Sequence, residues 1–86
     1  MLSKEVKVNC PIGLLVEPAG VVCKEAVAFK SHVNIEYEGG TANAKSMLSL
    51  LGAAIRDGDR ITIICDGEDE EEALNVIADV FENRLG

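Results

Sequence analysis

Tryptophan is absent from this chain of 86 residues, and aromatic residues make up only 3% of it. Any core must therefore be assembled from Val, Ile, Leu and Ala. The apolar fraction of 48% is enough for one such core, and the length is at the small end of domains that fold without staples. Cysteine is scarce and odd in number: Cys10, Cys23 and Cys65, with no Cys-x-x-Cys pair. No zinc or redox motif is formed, and free thiols in a reducing cytosol are the expectation. There is one histidine, His32. A metal site would need all three cysteines completed by His32, and no short-range ligand pair supports it. No metal or cofactor is expected.

No apolar run approaches the ~18 residues of a membrane span. The opening Met1-Leu2-Ser3-Lys4-Glu5 has no apolar stretch behind a basic one, so no signal peptide is read there. Together these absences point to a soluble cytoplasmic protein without a membrane partner. Positive charge is also in short supply: Lys and Arg number 8 against 15 Asp and Glu, a net charge of −7. Direct nucleic-acid binding relies on Lys and Arg contacts to phosphate, so it is not expected. Basic protein surfaces suit this chain better.

What is present reads clearly in order. Val6, Val8 and Cys10 alternate with Glu5, Lys7 and Asn9, a half-buried strand stopped by Pro11. Gly13 allows a turn. From about Val16 the period changes, and Ala19, Val22, Cys23, Ala26 and Val27 share one helical face. Pro18 is tolerated in the first turn, where N–H groups lack intrahelical partners. Val33, Ile35 and Tyr37 form a second strand, and Gly39-Gly40 turns it into a short third, Thr41 to Ala44. Ser46 opens a short apolar helix from Met47 to Leu51. Asp57-Gly58-Asp59 is a turn, and Ile61, Ile63 and Cys65 make a fourth strand, with Ile64 facing the other way.

The acidic run Glu68-Asp69-Glu70-Glu71-Glu72 precedes Ala73, Leu74, Ile77, Phe81 and Leu85 at helical spacing. It is read as the first turn of a last helix, where each well-placed carboxylate contributes ~0.3–1 kcal/mol, in preference to an acidic docking site. The element order is βαββαβα within a single α+β domain, residues 1–86. Periodicity alone leaves open a ferredoxin-like fold and a related open-faced sandwich, both with helices on one side of four strands.

Gly13-Leu14 and Pro18-Ala19, separated by three residues, resemble the active loop of the HPr family, the histidine phosphocarriers of the bacterial sugar phosphotransferase system. Lys24-Glu25-Ala26, Ala44-Lys45-Ser46 before a short apolar helix, and Gly67-Glu68-Asp69-Glu70 before a last helix are similar in the same way. The resemblance spans the chain. It implies an open-faced β-sandwich, with a four-stranded antiparallel sheet covered on one side by three helices. It also implies a non-catalytic, cytoplasmic domain.

Two departures stand out. The family's phosphorylated histidine falls at Leu15 and its arginine at Glu17. Leucine has no nucleophilic atom and accepts no phosphoryl group. Glu17 reverses a charge that would meet an anion, although a carboxylate in a first helical turn also simply stabilises the helix. His32 lies far along the chain and reads as a solvated strand-edge residue.

Ser46 matches the serine that a dedicated kinase phosphorylates in many relatives. Its residue type is equally that of a helix N-cap, and a phosphate at a helix start is compatible with both roles. Met47, Leu48 and Leu51 match the family's apolar docking patch, which Leu15 and Val16 would extend, while Leu50 fills the core.

In lacking the histidine the chain resembles the Crh type of HPr paralogue, which acts with a carbon-catabolite transcription regulator. Glu17 replaces the arginine such a contact would use. The resulting expectation is a regulatory protein-binding module, switched at Ser46 and partnered by an HPr kinase or such a regulator. The alternatives are a phosphocarrier with another acceptor, and a self-associating scaffold with Leu15 and Val16 at a homodimer seam.

Overall fold

Strand β1 (Leu2–Lys7) runs antiparallel to β4 (Arg60–Asp66), from Leu2 opposite Cys65 to Lys7 opposite Arg60. On its other side β4 pairs with β2 (His32–Tyr37), which pairs in turn with β3 (Gly40–Asn43). The strand order is thus β1-β4-β2-β3, antiparallel throughout. A computed structural model describes all residues, 1–86. Three helices complete it: α1 (Val16–Val27), α2 (Met47–Gly52) and α3 (Glu70–Asn83). The architecture is the expected α+β open-faced sandwich.

The period-2 pattern determines which sheet face is covered. Val6, Val33, Ile35, Ala42, Ile61, Ile63 and Cys65 are all buried. They pack with Ala19, Val22 and Ala26 of α1, Leu50 of α2, and Ile77, Val80 and Phe81 of α3 in one hydrophobic cluster. The alternate residues Ser3, Glu5, Lys7, Glu36 and Thr41 are exposed on the opposite, uncovered face. Phe81 is among the largest fully buried side chains, so one aromatic ring sits at the centre of an otherwise aliphatic core.

Several boundaries differ from the sequence reading for identifiable reasons. The first strand begins earlier and its ladder ends at Lys7, although Val8 and Cys10 stay buried. Beyond Lys7 the backbone finds other acceptors: Val8 N–H donates to Asp59 O (2.8 Å), Asn9 N–H to Phe81 O (2.9 Å) and Cys10 N–H to Asp57 Oδ1 (2.9 Å). Alternation of burial thus outlasts β pairing. Val27 is exposed although Ala26 is buried, because it lies about 100° further round α1, off the stripe of Ala19, Val22 and Ala26. Leu85 is buried but lies beyond the end of α3.

The acidic run is divided. Glu70, Glu71 and Glu72 occupy the first turn of α3, as expected, while Asp69 precedes it and turns its carboxylate away. That carboxylate accepts the backbone N–H groups of Lys30 and Ser31, each at 2.9 Å, and the Ser31 hydroxyl.

The strand directions fix two ends of the sheet. Leu2, His32 and Asp66 lie at one end, since His32 pairs with Asp66 and Leu2 with Cys65. The chain leaves β1 at the other end, so the loop to α1 is separated from His32 by the length of β4, roughly 20 Å. Cys10 follows β1 at that loop end and Cys65 lies at the His32 end, so the two thiols cannot share a ligand. No cluster of three or more His, Cys, Asp or Glu side chains is placed to hold a metal. Burial pushes the Cys65 thiol up to about 11, consistent with an inert core residue.

Candidate functional site

The β1–α1 loop is held from below and left free above. Gly13 N–H closes a turn onto Cys10 O at 2.8 Å, and the Cys10 thiol donates to Gly13 O at 3.1 Å. Gly13 has φ +80°, a conformation that suits a residue without Cβ. Leu14 then points inward and is buried, and its N–H donates to Ile55 O at 2.9 Å. That bond joins the loop to the segment just after α2. The Cys10 thiol is buried, and desolvation, reinforced by the Asp57 charge, raises its pKa.

Leu15 occupies the N-cap of α1 and has no side-chain oxygen with which to cap it. Its carbonyl accepts Ala19 N–H at 2.9 Å. Pro18, three residues into the helix start, has no N–H to offer. The first-turn amides of Val16 and Glu17 have no intrahelical acceptor. Glu17 supplies a negative charge at this positive pole. No Lys or Arg nitrogen stands within ion-pair distance of it.

Ser46 caps α2 as its residue type suggests: its Oγ accepts Ser49 N–H at 3.2 Å. The turn before it is tightly bonded. Asn43 Oδ1 accepts Lys45 N–H at 2.9 Å, and Ser49 Oγ accepts Asn43 N–H at 2.8 Å. Lys45 Nζ donates to Phe29 O at 2.7 Å, just past the end of α1. This bonding was not legible beforehand, although Asn two residues before Lys45 is a turn signal of the Asx kind.

The apolar residues singled out from the sequence mostly face solvent. Leu15 is 58% exposed, Val16 66%, Leu48 81% and Leu51 38%. Met47 is half-buried and packs against the core, so it contributes least to this surface. Leu50 is fully buried, as expected. Helix α1 packs against α2, and the Leu14–Ile55 bond brings the Leu15 loop beside the end of α2.

Sequence reasoning missed Ile12, which is 62% exposed in the same loop. Its signal was available: an apolar residue held between Pro11 and Gly13 has no periodic element to bury it. None of the three surface clefts includes Leu15, Val16, Met47, Leu48 or Leu51. This apolar surface is therefore open rather than concave, a shape that suits a macromolecule better than a small ligand.

The family model for the phosphorylation site of the HPr component of the phosphotransferase system matches residues 2–83. The chain belongs to the HPr family. Among HPr-family relatives, the HPr-like protein Crh of Bacillus subtilis is 40% identical over 78 residues, covering 91% of this chain and 92% of Crh. Phosphocarrier protein HPr of Mycoplasma pneumoniae is 40% identical over 83 residues, covering 95% of this chain and 94% of that one.

HPr of Thermoanaerobacter tengcongensis superimposes with a TM-score of 0.93 at 27% identity, covering 100% of this chain and 97% of that one. The crystal structure of B. subtilis Crh superimposes with a TM-score of 0.77 at 38% identity, over 95% and 94% of the two chains. That Crh structure is an intertwined dimer with a swapped domain. The likeness to HPr settles the choice between the two sheet arrangements. This chain is thus a non-enzymatic member of a phosphocarrier family. No helix is long and apolar enough to cross a membrane.

Proposed function

We propose that this chain is a regulatory, protein-docking HPr-family domain, cytoplasmic and single over residues 1–86, that has given up phosphohistidine chemistry. Leu15 stands where the family motif has its histidine, and Glu17 where it has an arginine. A hydrocarbon side chain supplies no lone pair for phosphoryl transfer. At ~4 Å and an effective dielectric near 20, a carboxylate facing a phosphate is repelled by ~4 kcal/mol per unit charge, and by less when exposed. His32 is no substitute acceptor, because it sits at the opposite end of the sheet from the loop.

The observation that carries the docking role is the open apolar surface of Leu15, Val16, Leu48 and Leu51, with Met47 at its edge. Ser46 lies beside it. A phosphate there would set two negative charges at the rim of the patch and change which partner it accepts. An HPr kinase and a carbon-catabolite transcription regulator are the partner classes this reading names. Glu17 sets the charge such a regulator must accommodate.

The test has two arms read by mass spectrometry. Incubation with ATP and an HPr kinase is expected to add one phosphate at Ser46. Incubation with phosphoenolpyruvate and the first enzyme of the phosphotransferase system is expected to add none. Acid-labile phosphate in the second arm would overturn the loss of carrier function. An unmodified Ser46 in the first would remove the switch.

A second reading, self-association, draws support from the dimeric Crh relative. A dimer seamed by Leu15 and Val16 would dissociate in a Leu15→Asp variant, as read by sedimentation.

A further inference from the structure

Beside the open patch runs a groove with apolar walls from Ile12, Pro18, Val21 and Leu85, and with two charged residues, Glu17 and Arg84. The two charges are not equivalent. Arg84 is already engaged, since its Nη2 donates to Glu25 Oε1 at 2.8 Å across the α1–α3 contact. Glu17 has neither an ion pair nor a hydrogen bond from another side chain. We propose that this groove receives a single lysine or arginine side chain of the docking partner, its stem along Ile12 and Val21 and its charged head at Glu17. This rests on the docking role of the adjacent patch and adds the chemistry of the residue that partner must present.

The match is physical. Long basic side chains lay a methylene stem along apolar surface and keep the charge at the tip. The groove offers apolar walls beside the unpaired side-chain carboxylate of Glu17, the complement of that shape and charge. The positive pole of α1 opposes a cation here, but it amounts to about half an elementary charge against the full charge of Glu17. The net charge of −7 adds long-range attraction for a basic partner. The acidic groove at Glu68, Asp69, Glu71 and Glu72 has only Val76 as an apolar wall. It attracts cations without selecting a stem, so it provides an internal control.

The probe is an amphipathic helical peptide, leucine on one face and glutamine elsewhere, with one central lysine. Its counterpart carries norleucine at that position, which keeps the stem and removes the charge. Both are titrated into isotope-labelled protein and followed by amide chemical shifts. The lysine peptide is expected to bind more tightly and to shift Ile12, Glu17 and Leu48.

Glu17→Gln is expected to weaken the lysine peptide about threefold to fivefold and leave the norleucine peptide unchanged. Glu71→Gln makes the same charge change at the other groove and is expected to leave both affinities unchanged. Equal affinity of wild type for the two peptides overturns the proposal, as does an equal loss from Glu71→Gln. Should the norleucine peptide shift the patch with no lysine preference, docking stands and the basic-residue groove falls. Should neither peptide move those amides, both fall together.

Discussion

Ser31 donates its buried hydroxyl to the carboxylate of Asp69, tying the turn after α1 to the residue ahead of α3. The same carboxylate collects the N–H groups of Lys30 and Ser31. The Ser31 hydroxyl, followed by the Lys30 amide, lowers the Asp69 pKa to about 2. A carboxylate whose folded pKa lies below its unfolded value near 3.9 adds stability that is complete above about pH 4. That stability is lost as pH falls toward about 2. Asp69→Asn is therefore expected to lower the thermal midpoint at pH 7 and to flatten its fall between about pH 4 and pH 2. Thermal unfolding across that range reads the difference. An acid limb as steep as that of wild type would assign it to other carboxylates.

Ala54 is the one non-glycine residue with positive φ, at +53°. It follows the C-cap of α2, where glycine is the usual occupant. The left-handed conformation costs an L-residue ~1–2 kcal/mol, and Ala→Gly returns ~0.4–1 kcal/mol of unfolded-state entropy to the other side. Ala54→Gly is expected to stabilise by about 0.5–1 kcal/mol, raising the melting temperature by about 4 °C. Calorimetry checks this, and a fall in midpoint would contradict it.

Leu48 and Leu50 are two residues apart on α2 and should behave oppositely. Leu50 is fully buried, so Leu50→Ala is expected to cost about 2–5 kcal/mol in denaturant unfolding. Leu48 is 81% exposed, so Leu48→Asp is expected to stay within about 0.5 kcal/mol of wild type. The same Leu48→Asp change should abolish peptide-induced shifts at the patch. A large stability loss would mean that Leu48 serves the fold.

Ser46 accepts the Ser49 amide as an N-cap, so Ser46→Ala is expected to cost about 1 kcal/mol, while Ser46→Asp, another good cap, should cost far less. Chemical denaturation separates the two. Equal losses would indicate that the hydroxyl contributes through some contact other than capping.

Most of the fold was legible because burial here follows simple periods. Ile61, Ile63 and Cys65 alternate as written, and Ala19, Val22 and Ala26 repeat at helical spacing. Strand ends were less so. Whether Val8 pairs with β4 or donates to Asp59 depends on residues about fifty positions away, which local pattern does not encode. The same holds for Asp69, whose acidic neighbours hid its bond to Ser31. At the site, Leu15, Val16 and Leu48 were readable because an apolar residue in a loop or on a short helix cannot always be buried. Ile12 escaped for want of periodicity. The engagement of Arg84 by Glu25, which leaves Glu17 unpaired, is purely tertiary.

β1 pairs with no strand other than β4, whose residues 60–66 come late in the chain. During synthesis β1 leaves the ribosome well before β4 and waits, unpaired, until β4 has followed. β2 and β3 can close locally long before. Closing so long a loop adds only slowly to the entropic cost, growing with the logarithm of its length, but it delays folding. In that interval Leu2 and Val6 are open to any strand edge at hand, and a second nascent copy offers the same β4 edge.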